Sequence, residues 1–143
     1  MTEPESRVPV FFYGSFMDAA VLRERGLAPG EGRKARAKGW QLTFAPAPTL
    51  TRSFCGVVWG MVYELERADV ERLYAQPLHG VTYRPQPIPV SAGGREREAT
   101  VYVCDPQTAA EPDARAVDAV RAAAAAAGLA PGYVDSIGRV AAP

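Results

Sequence analysis

The chain has 143 residues, 48% of them hydrophobic, with 16 Lys and Arg against 16 Asp and Glu and a single His. At about 100–200 residues per domain this reads as one domain over 1–143, large enough to bury a core without a metal or disulfide staple. The even charge argues against a domain whose main task is to hold a nucleic-acid backbone, and the apolar content excludes a disordered chain. The partner expected is therefore a small molecule, with no nucleic acid.

Residues 8–13, β-branched and aromatic, predict a buried strand ended by Gly14. A short helix follows over 19–25 and stops at Gly26, with Ser15 and Asp18 at the spacing of a capping box. Over 33–45, Lys34, Arg36 and Lys38 share one parity and Ala35, Ala37 and Gly39 the other, the pattern of a strand with one wet and one packed face. Pro46 and Pro48 break it. The apolar run 55–65 predicts a central strand in which Gly60 marks a bulge or a close approach. Val70, Leu73 and Tyr74 space a short amphipathic helix over 68–75, which Pro77 ends.

Prolines at 85, 87 and 89 delete backbone donors along one side only, so 84–90 is expected to be an edge strand paired on its other side. Gly93-Gly94 turns it into a strand over 98–104. Pro112-Asp113 opens a helix that runs through the alanines 122–127 to Gly128, and 131–139 reads as a last short helix. Strands and helices in this order, without βαβ alternation, give an α+β fold with a mixed sheet; an open sheet and a partly closed barrel both fit.

Cys55 and Cys104 lie in different apolar segments at no metal-ligand spacing and read as buried free thiols. Residues 1–7 have neither a basic region nor an apolar stretch, and no run approaches the roughly 18 apolar residues of a membrane span. The expectation is a cytoplasmic protein with no membrane partner.

The segment Phe12-Tyr13-Gly14-Ser15-Phe16-Met17 is the most informative for chemistry. A glycine at the end of a buried strand, followed at once by a helix start, leaves backbone N–H groups unpaired and directed outward, a concavity suited to a carboxylate or phosphate. A tight turn with a helix cap explains the same residues without a ligand.

Tyr13-Gly14-Ser15-Phe16-Met17 resembles the Tyr-Gly-Ser or Tyr-Gly-Thr loop of the γ-glutamylcyclotransferase-like family. The resemblance continues, in order, through Gly39-Trp40-Gln41-Leu42, Val58-Trp59-Gly60-Met61-Val62-Tyr63-Glu64-Leu65, Leu73, Tyr83-Arg84-Pro85, Ala99-Thr100-Val101-Tyr102-Val103 and Pro131-Gly132-Tyr133-Val134-Asp135-Ser136-Ile137. It implies a partly closed small β-barrel with short helices packed around it and one pocket. Substrate-binding residues implied are Tyr13, Gly14, Ser15, Phe16, Met17 and Tyr133. In the family's enzymes the loop amides receive the glutamyl carboxylate, and a glutamate in a Leu-Asp-x-x-Glu-Gly context moves protons while the substrate's α-amine attacks its own γ-carbonyl. The products are 5-oxoproline and a free amine, an intramolecular acyl transfer that requires no cofactor and no metal.

The chain departs from this pattern at the glutamate. The stretch reads Leu73-Tyr74-Ala75-Gln76-Pro77-Leu78-His79-Gly80, and alignment on Leu73, on Gly80 or back from Tyr83 puts Pro77, His79 or Gln76 in its place. Two readings follow. His79 has taken the catalytic role, for which an imidazole is chemically able, or the pocket binds a γ-glutamyl or other anionic amide without turning it over. Glu64 is a further candidate base, more ordinarily solvated at a strand end. The Arg33-Lys34-Arg36-Lys38 cluster reads as a solvated strand face before a phosphate contact, Trp40 and Trp59 as core, and Arg52 as exposed.

Overall fold

The computed structural model describes residues 7–44, 47–76, 81–105 and 114–137. In chain order the elements are β1 (Arg7–Phe12), a 3-10 turn (Ser15–Met17), α1 (Ala19–Glu24), β2 (Arg33–Phe44), β3 (Pro48–Glu66), α2 (Arg67–Leu73), β4 (Arg84–Ala92), β5 (Arg95–Val103), α3 (Ala114–Ala126) and α4 (Pro131–Ser136). The strands close into a barrel in the order β1-β3-β2-β4-β5. Every pairing is antiparallel except the β1–β5 seam, which is parallel and consists of one bridged pair, Val10 with Thr100. The α+β barrel with short helices around it is thus present.

Both faces of β1 are buried, which explains why its sequence is a continuous apolar run. Phe11 joins Ala35, Ala37, Val58, Val62, Ile88 and Val101 in one cluster, while Val10 and Phe12 join Met17, Leu22, Val120 and Ala124 of the turn and helices in another. Gly60 sits where a side chain would collide with the Phe12 carbonyl and the Phe11 ring; the expected close approach is there. At Gly93 and Gly94, φ values of 59° and 80° fit the two-residue hairpin turn.

Prolines 85, 87 and 89 are exposed and paired with β5, while Ile88 and Val90 point inward. On the side that lacks donors, β4 touches β2 through one bridge, Arg36 with Ser91, beyond the last proline. The proline pattern therefore leaves β4 joined firmly on one side only, even inside a closed barrel.

Three sequence expectations change. Strand β3 begins at Pro48, because residues 48–52 pair with 40–44 after a register shift at Gly39, whose φ is 88°. Asp18 alone caps α1, its Oδ1 accepting from the Ala20 N–H at 2.9 Å, while Ser15 opens the separate 3-10 turn. Cys55 is exposed; only Cys104 is buried, and both are free thiols. Helix α3 ends as expected, with Gly128 at φ 81° and the Leu129 N–H donating to the Ala124 carbonyl. Its start at Pro112-Asp113 lies outside the described residues. No helix among the described residues is long and apolar enough to cross a membrane.

Candidate functional site

Where β1 leaves the barrel, Tyr13 and Gly14 lead into the 3-10 turn, and the Met17 N–H donates to the Gly14 carbonyl at 3.0 Å. The N–H groups of Ser15 and Phe16 precede that first turn bond and so have no partner within the turn. Gly14 keeps a φ of −115°, and a side chain there would meet Val120 and Pro48 at ordinary van der Waals distance. The small residues of α3, with Ala116, Ala123 and Ala124 buried beside Val120, let this helix pack closely behind the turn.

Side-chain hydrogen bonds fix the surroundings. Tyr63 Oη donates to the Met17 carbonyl, Tyr13 Oη to the Tyr102 carbonyl and Tyr83 Oη to the Pro48 carbonyl, each at 2.7 Å. Thr49 Oγ1 donates to the Cys104 carbonyl at 2.7 Å and accepts from the Cys104 N–H at 3.0 Å, so one hydroxyl satisfies both backbone groups. Phe16 meets Phe12 and Tyr74 edge to face, each with centroids 5.9 Å apart, and Tyr74 stacks on Tyr102 at 3.9 Å. Burial drives the phenols of Tyr13, Tyr74 and Tyr83 well above the usual tyrosine range, so all three are neutral donors at ordinary pH.

These elements line a half-open cavity of about 640 Å3. Tyr13, Gly14, Ser15 and Phe16 form one wall and Pro48, Leu73 and Tyr83 another; Arg25, Arg72 and Gln76 supply its remaining polar groups. No carboxylate lines it among the described residues. Arg25 lies with its guanidinium 5.7 Å from the Phe16 ring centroid, and Arg72 donates to Asp69 at 2.8 Å. The chemistry on offer is therefore cationic and hydrogen-bond donating, a setting for an anion.

The structure gathers Tyr13, Gly14, Ser15 and Phe16 at this cavity. Met17 is fully buried and does not line the cavity; its carbonyl accepts from Tyr63. Tyr133 lines a second cavity of about 310 Å3 with Leu42, Cys55, Val57 and Ile137, which shares no lining residue with the first. Its hydroxyl is buried without a hydrogen bond of good geometry, and burial pushes the phenol up to about 12. His79 and Pro77 lie outside the described residues. Gln76, the last described residue before them, lines the first cavity.

Glu64 is on the barrel wall, 3.1 Å from Arg97, with both side chains nearly half exposed. Trp40 is buried under Arg52, 4.3 Å away, and Trp59 is half-buried beside Arg36 at 5.7 Å. Arg25 and Arg72 were not singled out by the sequence, since a basic residue at a helix C-terminus is ordinarily explained by the helix dipole.

Similar folds are known. YkqA from Bacillus subtilis superimposes with a TM-score of 0.78 at 22% identity, over 94% of this chain and 54% of its own, so the chain spans about half of that protein. A gamma-glutamyl cyclotransferase superimposes at 0.78 with 20% identity over 92% and 86% of the two chains. A yeast gamma-glutamyl cyclotransferase specific to glutathione does so at 0.59 with 13% identity over 95% and 96%. No curated protein sequence matches the chain significantly. Its own sequence does match a family model from residue 10 to residue 120, most of its length, and on that match the chain belongs to the gamma-glutamyl cyclotransferase, AIG2-like family.

Proposed function

We propose that the chain binds a γ-glutamyl amide, or a similar small anionic amide, in the cavity beside the Gly14–Phe16 turn. The observation that carries this reading is the make-up of the cavity: about 640 Å3 lined by the Tyr13–Phe16 turn and by two arginines, with no carboxylate among its described lining residues. Such a site attracts the ligand's carboxylate, and its described lining residues supply no carboxylic acid to move protons. Family membership supports the class of ligand.

A second reading, turnover by cyclisation, is favoured by Gln76 lining the cavity three residues before His79. In that reaction the α-amine of the ligand attacks its own γ-carbonyl. The lactam C–N bond of 5-oxoproline forms, the original amide C–N bond breaks, and a base carries the attacking amine's proton to the departing amine. His79 is the candidate base, and no cofactor enters.

Incubating the purified chain with a panel of γ-glutamyl amines separates the readings. A ligand-induced rise in melting temperature without product supports binding alone. Release of 5-oxoproline supports turnover, in which case His79→Ala lowers the rate about 10²–10⁴-fold. Neither effect with any member of the panel rejects both.

A further inference from the structure

We propose that Arg25 and Arg72 determine specificity, favouring amides whose amine portion carries a carboxylate over those whose amine portion is neutral or cationic. The inference rests on the cavity being the γ-glutamyl amide site argued above. The two guanidiniums reach the same cavity from different elements, Arg25 from the residue that ends α1 and Arg72 from the last turn of α2. Neither balances an acid inside the cavity, because none lines it among the described residues.

Arg25 lies over the Phe16 ring and makes no ion pair within 4 Å among the described residues, so its N–H donors are not committed to an acid. Arg72 commits one nitrogen to Asp69 in an exposed pair three residues apart. Such pairs are weak and easily exchanged, and a guanidinium has five donors. Asp69 offsets one of the two positive charges, which leaves an excess of about one for the ligand. With the glutamyl carboxylate on the turn amides, that excess matches a second anionic group at the amine end.

γ-Glutamylglycine and γ-glutamylglycinamide differ by one carboxylate and serve as a matched pair. Titration calorimetry on the full chain at low salt is expected to show the acid binding about tenfold more tightly, with the ratio falling as salt is added. Arg25→Gln and Arg72→Gln, each checked for folding by its melting curve, should each reduce the acid-to-amide ratio about three- to fivefold. Asp69→Asn should raise it. If the chain turns these compounds over, the same ratio is read from kcat/KM. Equal affinities for the pair, or a ratio that both arginine variants leave intact, overturn the proposal while binding of the glycinamide sustains the cavity reading. Failure of both compounds to bind overturns the cavity reading and this inference with it.

Discussion

The phenol of Tyr63, on the barrel wall, donates a 2.7 Å hydrogen bond to the carbonyl of Met17, and this bond ties the candidate ligand loop to β3. Tyr63→Phe keeps the ring and strands a buried carbonyl. Loss of about 1–3 kcal/mol is expected in chemical denaturation, together with weaker ligand binding, since the turn then loses its hydrogen bond to the barrel wall and keeps its own backbone bond and its core packing.

Gly14 and Gly60 are predicted to respond in opposite ways to alanine. At Gly60 the new methyl would overlap the Phe12 carbonyl, which belongs to the β1–β3 ladder and cannot withdraw. The cost expected is about 3 kcal/mol, read from the denaturation midpoint. At Gly14 the methyl meets Val120 and Pro48 at 3.9 and 4.0 Å. That variant should melt within about 1 kcal/mol of the parent chain and yet bind ligand less well, because the methyl is added to the cavity wall.

Apart from tyrosines and Cys104, Thr49 is the one buried polar side chain among the described residues, and it closes the end of β5 by serving both backbone groups of Cys104. Thr49→Val preserves shape but orphans a donor and an acceptor together, with an expected loss of about 2–4 kcal/mol in denaturation. Thr49→Ser, which keeps the hydroxyl, should recover most of it.

All six tyrosines have phenols raised above their ordinary value, chiefly by burial. Below about pH 10 the folded and unfolded chains hold the same phenolic protons, and this contribution is fully present. Above it the unfolded chain ionises first and binds fewer protons, so stability falls as pH rises toward the folded values. Each buried phenol still protonated contributes a slope of about 1.4 kcal/mol per pH unit. Melting temperatures measured from pH 8 to 11 should be flat and then drop steeply, with the tyrosinate absorbance rising in the same transition. A gradual rise in absorbance before unfolding would contradict it.

Much of the fold was legible because its signals are local. Alternation in 33–38 placed Ala35 and Ala37 inside, proline spacing placed β4, and Gly93-Gly94 placed the hairpin turn. The first half of β3 was hidden, since Pro48 reads as a breaker until its pairing with Phe44 is seen. Cys55 passes for buried for a similar reason: the register shift that exposes it depends on the partner strand. At the site, Tyr13 to Phe16 could be found from sequence because they are contiguous. Arg25, Pro48, Arg72 and Tyr83 meet there only through the closure of the barrel, and no spacing in the chain announces that meeting.

The two seams beside the β4–β5 hairpin each rest on one bridged pair, Arg36 with Ser91 and Val10 with Thr100. The hairpin itself and the β1–β3–β2 sheet are paired along their length. Opening of this barrel is accordingly a matter of detaching one stave, and amide exchange should release β4 and β5 together while the three-stranded remainder stays protected. That stave carries the Tyr102 and Cys104 carbonyls that anchor Tyr13 and Thr49, and its base lies beside Tyr83. A ligand that bridges Tyr13 and Tyr83 would therefore act as a clasp across the weakest joint, and occupancy of the cavity would slow exchange in strands that it scarcely touches.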